Sequence, residues 1–375
     1  MPIQILPGFQ AEPWRELVSR SPFHDAGWLT AMTSRLPGEI FTVLDKQDLG
    51  FIAVLVSNPD GYEAYNPAAI LWRDPPVFEL SDPAARAAEL DRLVDSAPAT
   101  LPALVLVAPG YDGDPAGRCA EDPAALARCL TELLGWCEQS GLAALHLLFT
   151  ANPMVNEAIS GLGGFSYPIT ARWTLPVWWQ DWDGYLAGLD SKRAREIRRE
   201  YRLATESLQL TELDPNEYAE DLIEGRCALL RRYGQDADPA AEHRRLALLT
   251  EQFGDRLTAF GGLHEGRLLA GSLCLWHGRT LQVMYSALTE AGEQHRFAHF
   301  ASTYYAIIER VSSAECAEID YGISHRSGKQ ARGCELRQLY GHVLPVAGSD
   351  TEQLAIAAKL LTRYAETNAG NQEDR

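Results

Sequence analysis

Two stretches of the chain gather residue types that can do chemistry. Residues 191–202, SKRAREIRREYR, carry Lys192, Arg193, Arg195, Arg198, Arg199 and Arg202. At 3.6 residues per turn, Lys192, Arg195, Arg199 and Arg202 fall along one side of a helix, with Arg198 beside them. Guanidinium groups match phosphate bidentately, so that side suits tRNA or another phosphorylated ligand. Glu196 and Glu200 stand in i,i+4 relation to neighbouring cations, and a solvated, salt-bridged helix would carry the same residues. The second stretch, IDYGISHRSGKQAR, places Asp320 and Tyr321 at the end of an expected strand and His325, Lys329 and Arg332 just beyond it. Polar residues at the carboxyl ends of strands in α/β sheets commonly face a cleft. A capped turn beside a surface cation is the plainer alternative.

Other constellations are weaker. His295 and His299 are four apart in HRFAH, a spacing at which two imidazoles share a ligand. The glutamate of HExxH and a third metal ligand are both missing, so satisfied or substrate-facing histidines are expected and no metal. Tyr65, Asn66, Trp72 and Arg73, in YNPAAILWRDPP, are polar or aromatic near an expected strand, as acceptor-binding residues would be; a turn with core aromatics reads the same way. No G-x-S-x-G elbow occurs, which leaves no serine nucleophile to support an acyl-enzyme.

These residues need a scaffold, and 375 residues supply two domains' worth. A hydrophobic content of 46% provides for a core. No run reaches the roughly 18 apolar residues of a membrane span. The start, MPIQILPGFQAEPW, lacks the pattern of a signal peptide, so a cytoplasmic location is expected. Seven cysteines without a CxxC pair read as reduced, buried thiols. With 51 acidic against 33 basic side chains the net charge is -18, which disfavours broad nucleic-acid binding and leaves room for a local basic patch.

Strand-like segments (FTVLD, GFIAVLVS, ALVLVA, LAALHLLFT, FSYPITARWTLPV) alternate with a capped amphipathic helix, DPAALARCLTELLGWCEQSG, in the first half. WWQDWDGYLAGLD reads as a hinge, after which a similar order begins again. The basic helix leads, followed by LQLTELD, two helices, and the strands RLTAFGGL, RLLAGSLCLW and TLQVMYSAL joined by HEG and HGR turns. A helix near 297–312 and the strands AEIDYG and YGHVLPV complete the unit. The expected fold class is α/β with a mixed sheet. The expected domains are 1–172 and 173–348, followed by 349–375 as a helix and frayed tail.

The order YLAGLDSKRAREIRRE, then the GLxxxGRLLAGS hairpin, then EIDYG with its following lysine resembles the FemAB-like branch of the GNAT acyltransferase superfamily, best over residues 173–346. The resemblance implies tandem GNAT-like domains with an active cleft at or near their junction. It also implies amide-bond formation from aminoacyl-tRNA or an acyl-CoA. Lys329 matches the lysine that such proteins carry after the strand end, which implies donor binding or oxyanion stabilisation. Amide formation needs a neutral amine, and an α-amine of pKa near 8 is about a tenth neutral at pH 7, so a modest base suffices. Asp320, Tyr285, His325 or a substrate group can be that base. Strand amides near Tyr285 and Ser286 can hold the oxyanion, where one donor is worth about 3 kcal/mol. The loop TEAGEQHRFAHF has one glycine, Gly292, and two carboxylates, Glu290 and Glu293, where a CoA-dependent domain would present a Gly-rich pyrophosphate cradle. His295 and Arg296 can bind a diphosphate there. The leading expectation is therefore direct aminoacyl transfer from tRNA to a small-molecule or peptidoglycan-type amine, with no cofactor. An acyl-CoA-dependent N-acyltransferase is the alternative, and a catalytically inert binding module is the reading from another class.

Overall fold

The computed structural model describes residues 3–46, 48–60, 63–73, 82–92, 100–323 and 325–365. The tail at 367–375, read as frayed, lies outside the described residues. The chain divides into two compact units, 1–171 with 337–375, and 172–336. In the first, strands β1 (Gln4–Pro7), β2 (Glu39–Asp45), β3 (Leu49–Val56), β4 (Ala103–Leu106) and β5 (Ala144–Thr150) lie side by side in chain order. The chain passes between units within β6 (Phe165–Pro176). In the second unit, β7 (Gln209–Leu213), β8 (Leu257–His264), β9 (Arg267–His277), β10 (Thr280–Leu288) and β11 (Glu318–Ile323) again follow chain order, and the chain returns within β12 (Glu335–Pro345).

Each unit ends on a strand from the other stretch of sequence. β12 pairs antiparallel with β5 through Tyr340–Pro345, and β6 pairs antiparallel with β11 through Arg172–Pro176. Both units have the same sense: antiparallel throughout, except for one parallel pair, β4 with β5 and β10 with β11. This arrangement corrects the expected boundary at 348. The segment 337–348 belongs with the first unit because Leu344 and Val346 are buried there in one core with Leu145, Leu147 and Ile159. The helix Thr351–Tyr364 joins the same unit, where Arg363 pairs with Glu89 at 2.8 Å.

Local sequence explains the elements. The helix Pro123–Gln139 starts with proline in its first turn, and Asp122 accepts from the amides of Ala124 and Ala125, a cap worth about 1 kcal/mol. The β8–β9 hairpin turns on Glu265 and Gly266, both at positive φ (51° and 82°), a conformation the glycine adopts without strain. The WWQDWDGYLAGLD segment is a turn and a short helix, Trp182–Ala187, packed in the second unit's core around Trp179, Tyr185 and Ile307. Residues 65–73 differ from expectation as well. Asn66 accepts from the Ala68 amide and Pro67 follows it, so the segment is a capped helix, Pro67–Trp72. All seven cysteines are unpaired, and six of them are buried. Among the described residues no helix is long and apolar enough to cross a membrane.

Candidate active site

The basic segment forms the helix Ser191–Thr205, capped by Asp190, whose Oδ1 accepts from the amides of Lys192 and Arg193 at 3.1 and 3.0 Å. Ala194, Ile197 and Ala204 are buried against the second unit's core. Lys192, Arg195, Arg198, Arg199 and Arg202 are all exposed. Arg193 pairs with Asp190 at 3.0 Å and Arg202 with Glu206 at 2.7 Å. Among the described residues, Lys192, Arg195, Arg198 and Arg199 have no carboxylate partner. The expected pairing of Glu200 with helix cations is corrected. Glu200 follows Ile197 by three residues, at the edge of the buried side, and its carboxylate turns inward to Arg332 at 2.6 Å and to the Tyr305 hydroxyl.

Arg332, expected to face substrate, is buried instead. Its Nη2 donates to Glu200 and Tyr305 and its Nη1 to the Gly328 carbonyl at 2.8 Å, while Tyr185 donates to its backbone oxygen. The guanidinium lies 4.1, 4.8 and 5.3 Å from the rings of Phe300, Tyr304 and Tyr305. These rings belong to the helical run at 298–310, which widens into a π turn at Ala301–Tyr305. One buried cation thus joins the basic helix, the aromatic helix and the turn that carries Lys329.

Lys329 and Asp320 are likewise committed. Lys329 is buried, and its Nζ donates to the carbonyls of Tyr321, Gly322 and Ile323 at 2.7, 2.9 and 2.8 Å, which uses the three protons of an ammonium. Asp320 is paired with Arg172 at 2.9 Å and accepts from the Gly322 amide at 2.7 Å. Lys329 thus holds the strand-end loop, and Asp320 is engaged in an ion pair. Tyr321 is buried with its ring 4.7 Å from Tyr304, and burial pushes its phenol well above the ordinary range. His325 sits at positive φ with its ring 5.8 Å from the exposed Tyr233.

At β10 the sheet opens. Its parallel pairing with β11 covers only Thr280–Gln282, and the strand continues to Leu288 with a register shift at Met284 against β9. Tyr285 lies past this bulge under the Arg226 guanidinium, 5.2 Å from the ring centroid. Burial pushes its phenol up, so Tyr285 is a proton donor at neutral pH and not the base. Ser286 points to the other side, its Oγ 3.1 Å from Thr303 and 3.4 Å from Ser272. After β10, His295 shares Ser207 with His264: Nδ1 of His295 lies 3.1 Å from the Ser207 hydroxyl, and the two imidazole rings are 4.7 Å apart. Arg296 is exposed. His299 is pushed down to about 4 by burial and by the charges of His325, Arg232 and Arg332, and is neutral at pH 7. Among the described residues no group of three His, Cys, Asp or Glu side chains is placed to hold a metal ion.

The first-unit candidates serve the fold. Asn66 is fully buried, capping its helix and donating to the carbonyls of Asn58 and Pro59. Tyr65 accepts from the Gly110 amide at 3.2 Å and stacks on Tyr111 at 5.3 Å. Trp72 is half-buried, and Arg73 pairs with Asp60 at 3.0 Å. Sequence reasoning missed Glu200 and Arg172 as partners of buried ions. The first was legible as a carboxylate on the margin of an apolar helix face; the second, 148 residues from Asp320, left no local signal.

Compared with known proteins, residues 117–344, more than half of the chain, match the FemAB-like family model, described as peptidoglycan biosynthesis/recognition. Among solved structures, FemX is similar over 91% of this chain and 97% of its own, at 9% identity and a TM-score of 0.55, which shows a common fold. L-PGS from Bacillus licheniformis is similar over 77% of this chain and 100% of its own, at 13% identity and a TM-score of 0.45. A tandem GNAT protein from the clavulanic acid biosynthesis pathway covers 93% of this chain and 100% of its own, at 12% identity and a TM-score of 0.40. No curated protein matches the sequence.

Proposed function

The chain belongs to the FemAB-like family of tandem GNAT-type acyltransferases, and on that premise we propose that it transfers an aminoacyl group from tRNA to the amine of a small-molecule or peptidoglycan-type acceptor. The observation that carries this reading is the exposed side of the Ser191–Thr205 helix, where Lys192, Arg195, Arg198 and Arg199 lack carboxylate partners among the described residues. Four such cations on a chain of net charge -18 confine a polyanion to one place. The acyl carbonyl is polarised at the opened edge of β10, where the protonated Tyr285 and the strand amides past Gln282 receive the oxygen. Transfer is direct: the amine attacks the ester carbonyl, its proton leaves to solvent or to the departing ribose oxygen, and no acyl-enzyme forms. Lys329 and Arg332 act behind these groups by fixing the loop and helix that flank them.

Replacing Arg195, Arg198 and Arg199 with Gln tests the reading. The KM for charged tRNA should rise with kcat little changed, and the dependence of binding on salt should become shallower by about one unit per lost phosphate contact. Unaltered kinetics at every salt concentration would reduce the helix to a solvated surface. The acyl-CoA alternative draws on one observation: the helical run at 298–310 starts at Phe297 without a side-chain cap, beside exposed Arg296, a cation that suits a diphosphate.

A further inference from the structure

We infer that Trp178 is a stacking platform for an unpaired nucleobase at the single-stranded 3′ end of the RNA donor, an inference that rests on the tRNA reading above. Trp178 is the only exposed tryptophan among the described residues, with 41% of its surface in solvent. It is also firmly seated. Its indole stacks on the buried Tyr185, with centroids 6.0 Å apart and planes at 24°, and Trp179 meets it edge-on at 5.1 Å. Tyr185 is itself anchored by its hydroxyl, which donates to the Arg332 carbonyl at 3.0 Å.

Two glycines make the seat. A Cβ at Gly188 would come within 2.2 Å of the indole Nε1, and one at Gly333, where φ is +86°, within 3.3 Å of the ring and 3.1 Å of Leu189. Only residues without side chains let the indole lie flat there. An exposed aromatic held this way loses little entropy on binding, whereas a mobile one would lose more.

The surroundings select the occupant. Gly188 is followed by Leu189, the cap Asp190 and the exposed cationic helix, and Lys192 lies only four residues on, at most about 14 Å of chain away. An aromatic face beside a row of unpaired cations is the composition that holds single-stranded nucleic acid, with the ring taking a base and the cations the backbone. A base of any identity offers a π face, so this contact recognises an unpaired end and not a sequence. Aminoacyl esters sit at such an end.

The test uses the full chain and two fluorescein-labelled RNA hairpins, one blunt and one with four unpaired 3′ nucleotides, followed by anisotropy. The wild type should prefer the overhang by about fivefold to 150-fold, the range expected for one stacked base. Trp178→Leu, which keeps an apolar side chain without a π face, should abolish the preference, and Trp178→Phe should restore most of it. The Arg195, Arg198 and Arg199 triple Gln variant should weaken both RNAs alike. If the wild type binds both RNAs equally while the triple variant binds both less, the tRNA reading stands and the platform is overturned. If the wild type binds neither RNA, both fall. If Trp178→Leu leaves the overhang preference intact but loses binding to phosphatidylglycerol vesicles, the indole is a membrane contact and the inference is wrong.

Discussion

The two parallel strand pairs, β4 with β5 and β10 with β11, start from the same geometry and end differently. In the first unit the chain fills the strand ends itself. Residues 107–114 double back so that the Ala108 amide donates to Asp112 and the Gly113 amide to Phe149, and a Cβ at Gly113 would lie 2.0 Å from the Leu148 oxygen. Asp114 then accepts from the amides of Ala151 and Asn152 at the start of the helix Pro153–Gly161, while Asp112 faces the buried His24 at 3.5 Å. In the second unit the pairing stops at Gln282, β10 runs on past a bulge, and the following helical run begins without a side-chain cap. A carboxylate from the chain accepts from backbone amides beyond the parallel pair in both units, Asp114 in the first and Asp320, from the Gly322 amide, in the second; what differs is the run of β10 past its partner and the uncapped helix start that follows it. One fold used twice thus lets the first strand of the parallel pair run past its partner in the second unit alone, and that longer run is where the proposal places the acyl group.

The comparison can be broken hardest at Arg332, which organises the second unit's side. Arg332→Leu strands the Glu200 carboxylate among rings, and should lower stability by about 3–5 kcal/mol in denaturant unfolding. A loss under 1 kcal/mol would show that the buried pair is not what holds the basic helix to the Lys329 turn. Next comes Tyr285→Phe, which removes one donor at the open edge and should lower kcat by about tenfold to a thousandfold with an unchanged melting temperature. Unchanged turnover would relocate the oxyanion. Lys329→Met leaves three carbonyls without a donor and should cost about 1–3 kcal/mol of stability, with any loss of turnover following the loss of fold.

The first unit should respond to pH through Asp114. Its carboxyl is pushed up to about 6, first by burial and then by Asp112. His24 is raised too: burial opposes its charge, but the carboxylates of Asp112 and Asp114 outweigh that. A carboxyl whose folded pKa exceeds its unfolded value binds more protons when folded, so its contribution falls as pH rises. The wild type should therefore lose stability relative to Asp114→Asn between about pH 4 and pH 6, and lose a further increment at higher pH, where the raised His24 gives up its proton. The opposite slope would mean that the carboxylate is stabilised by its amide partners more than it is penalised by burial. The smallest effect belongs to Arg202→Gln, whose exposed pair with Glu206 should change stability by less than about 0.5 kcal/mol.

Much of this was legible because it is local. The strands, the Asp-capped helices, the HEG turn and the cationic side of residues 191–202 all follow from periodicity and capping. The exchange of β6 and β12 between units was not, because strand pairing between segments so far apart in sequence, such as Glu318 with Pro176 and Pro345 with Ala144, leaves no trace in either segment. The partners of the site residues were hidden for a related reason. Asp320, Lys329 and Arg332 are the residue types that catalysis uses, but their partners, Arg172, three loop carbonyls and Glu200, are brought to them only by the fold. Asn66 read as strand-adjacent because its capping role depends on one dihedral at the residue before Pro67.

The central claim is that the open end of the second unit receives its acyl group from tRNA. It is tested most directly by following amide formation by mass spectrometry in a cell extract supplied with the purified protein, with and without ribonuclease. The account expects an aminoacylated product, one amino-acid residue heavier than its acceptor, that vanishes when RNA is destroyed and returns when charged tRNA is added back. Product formation from an acyl-CoA in the ribonuclease-treated reaction would contradict it.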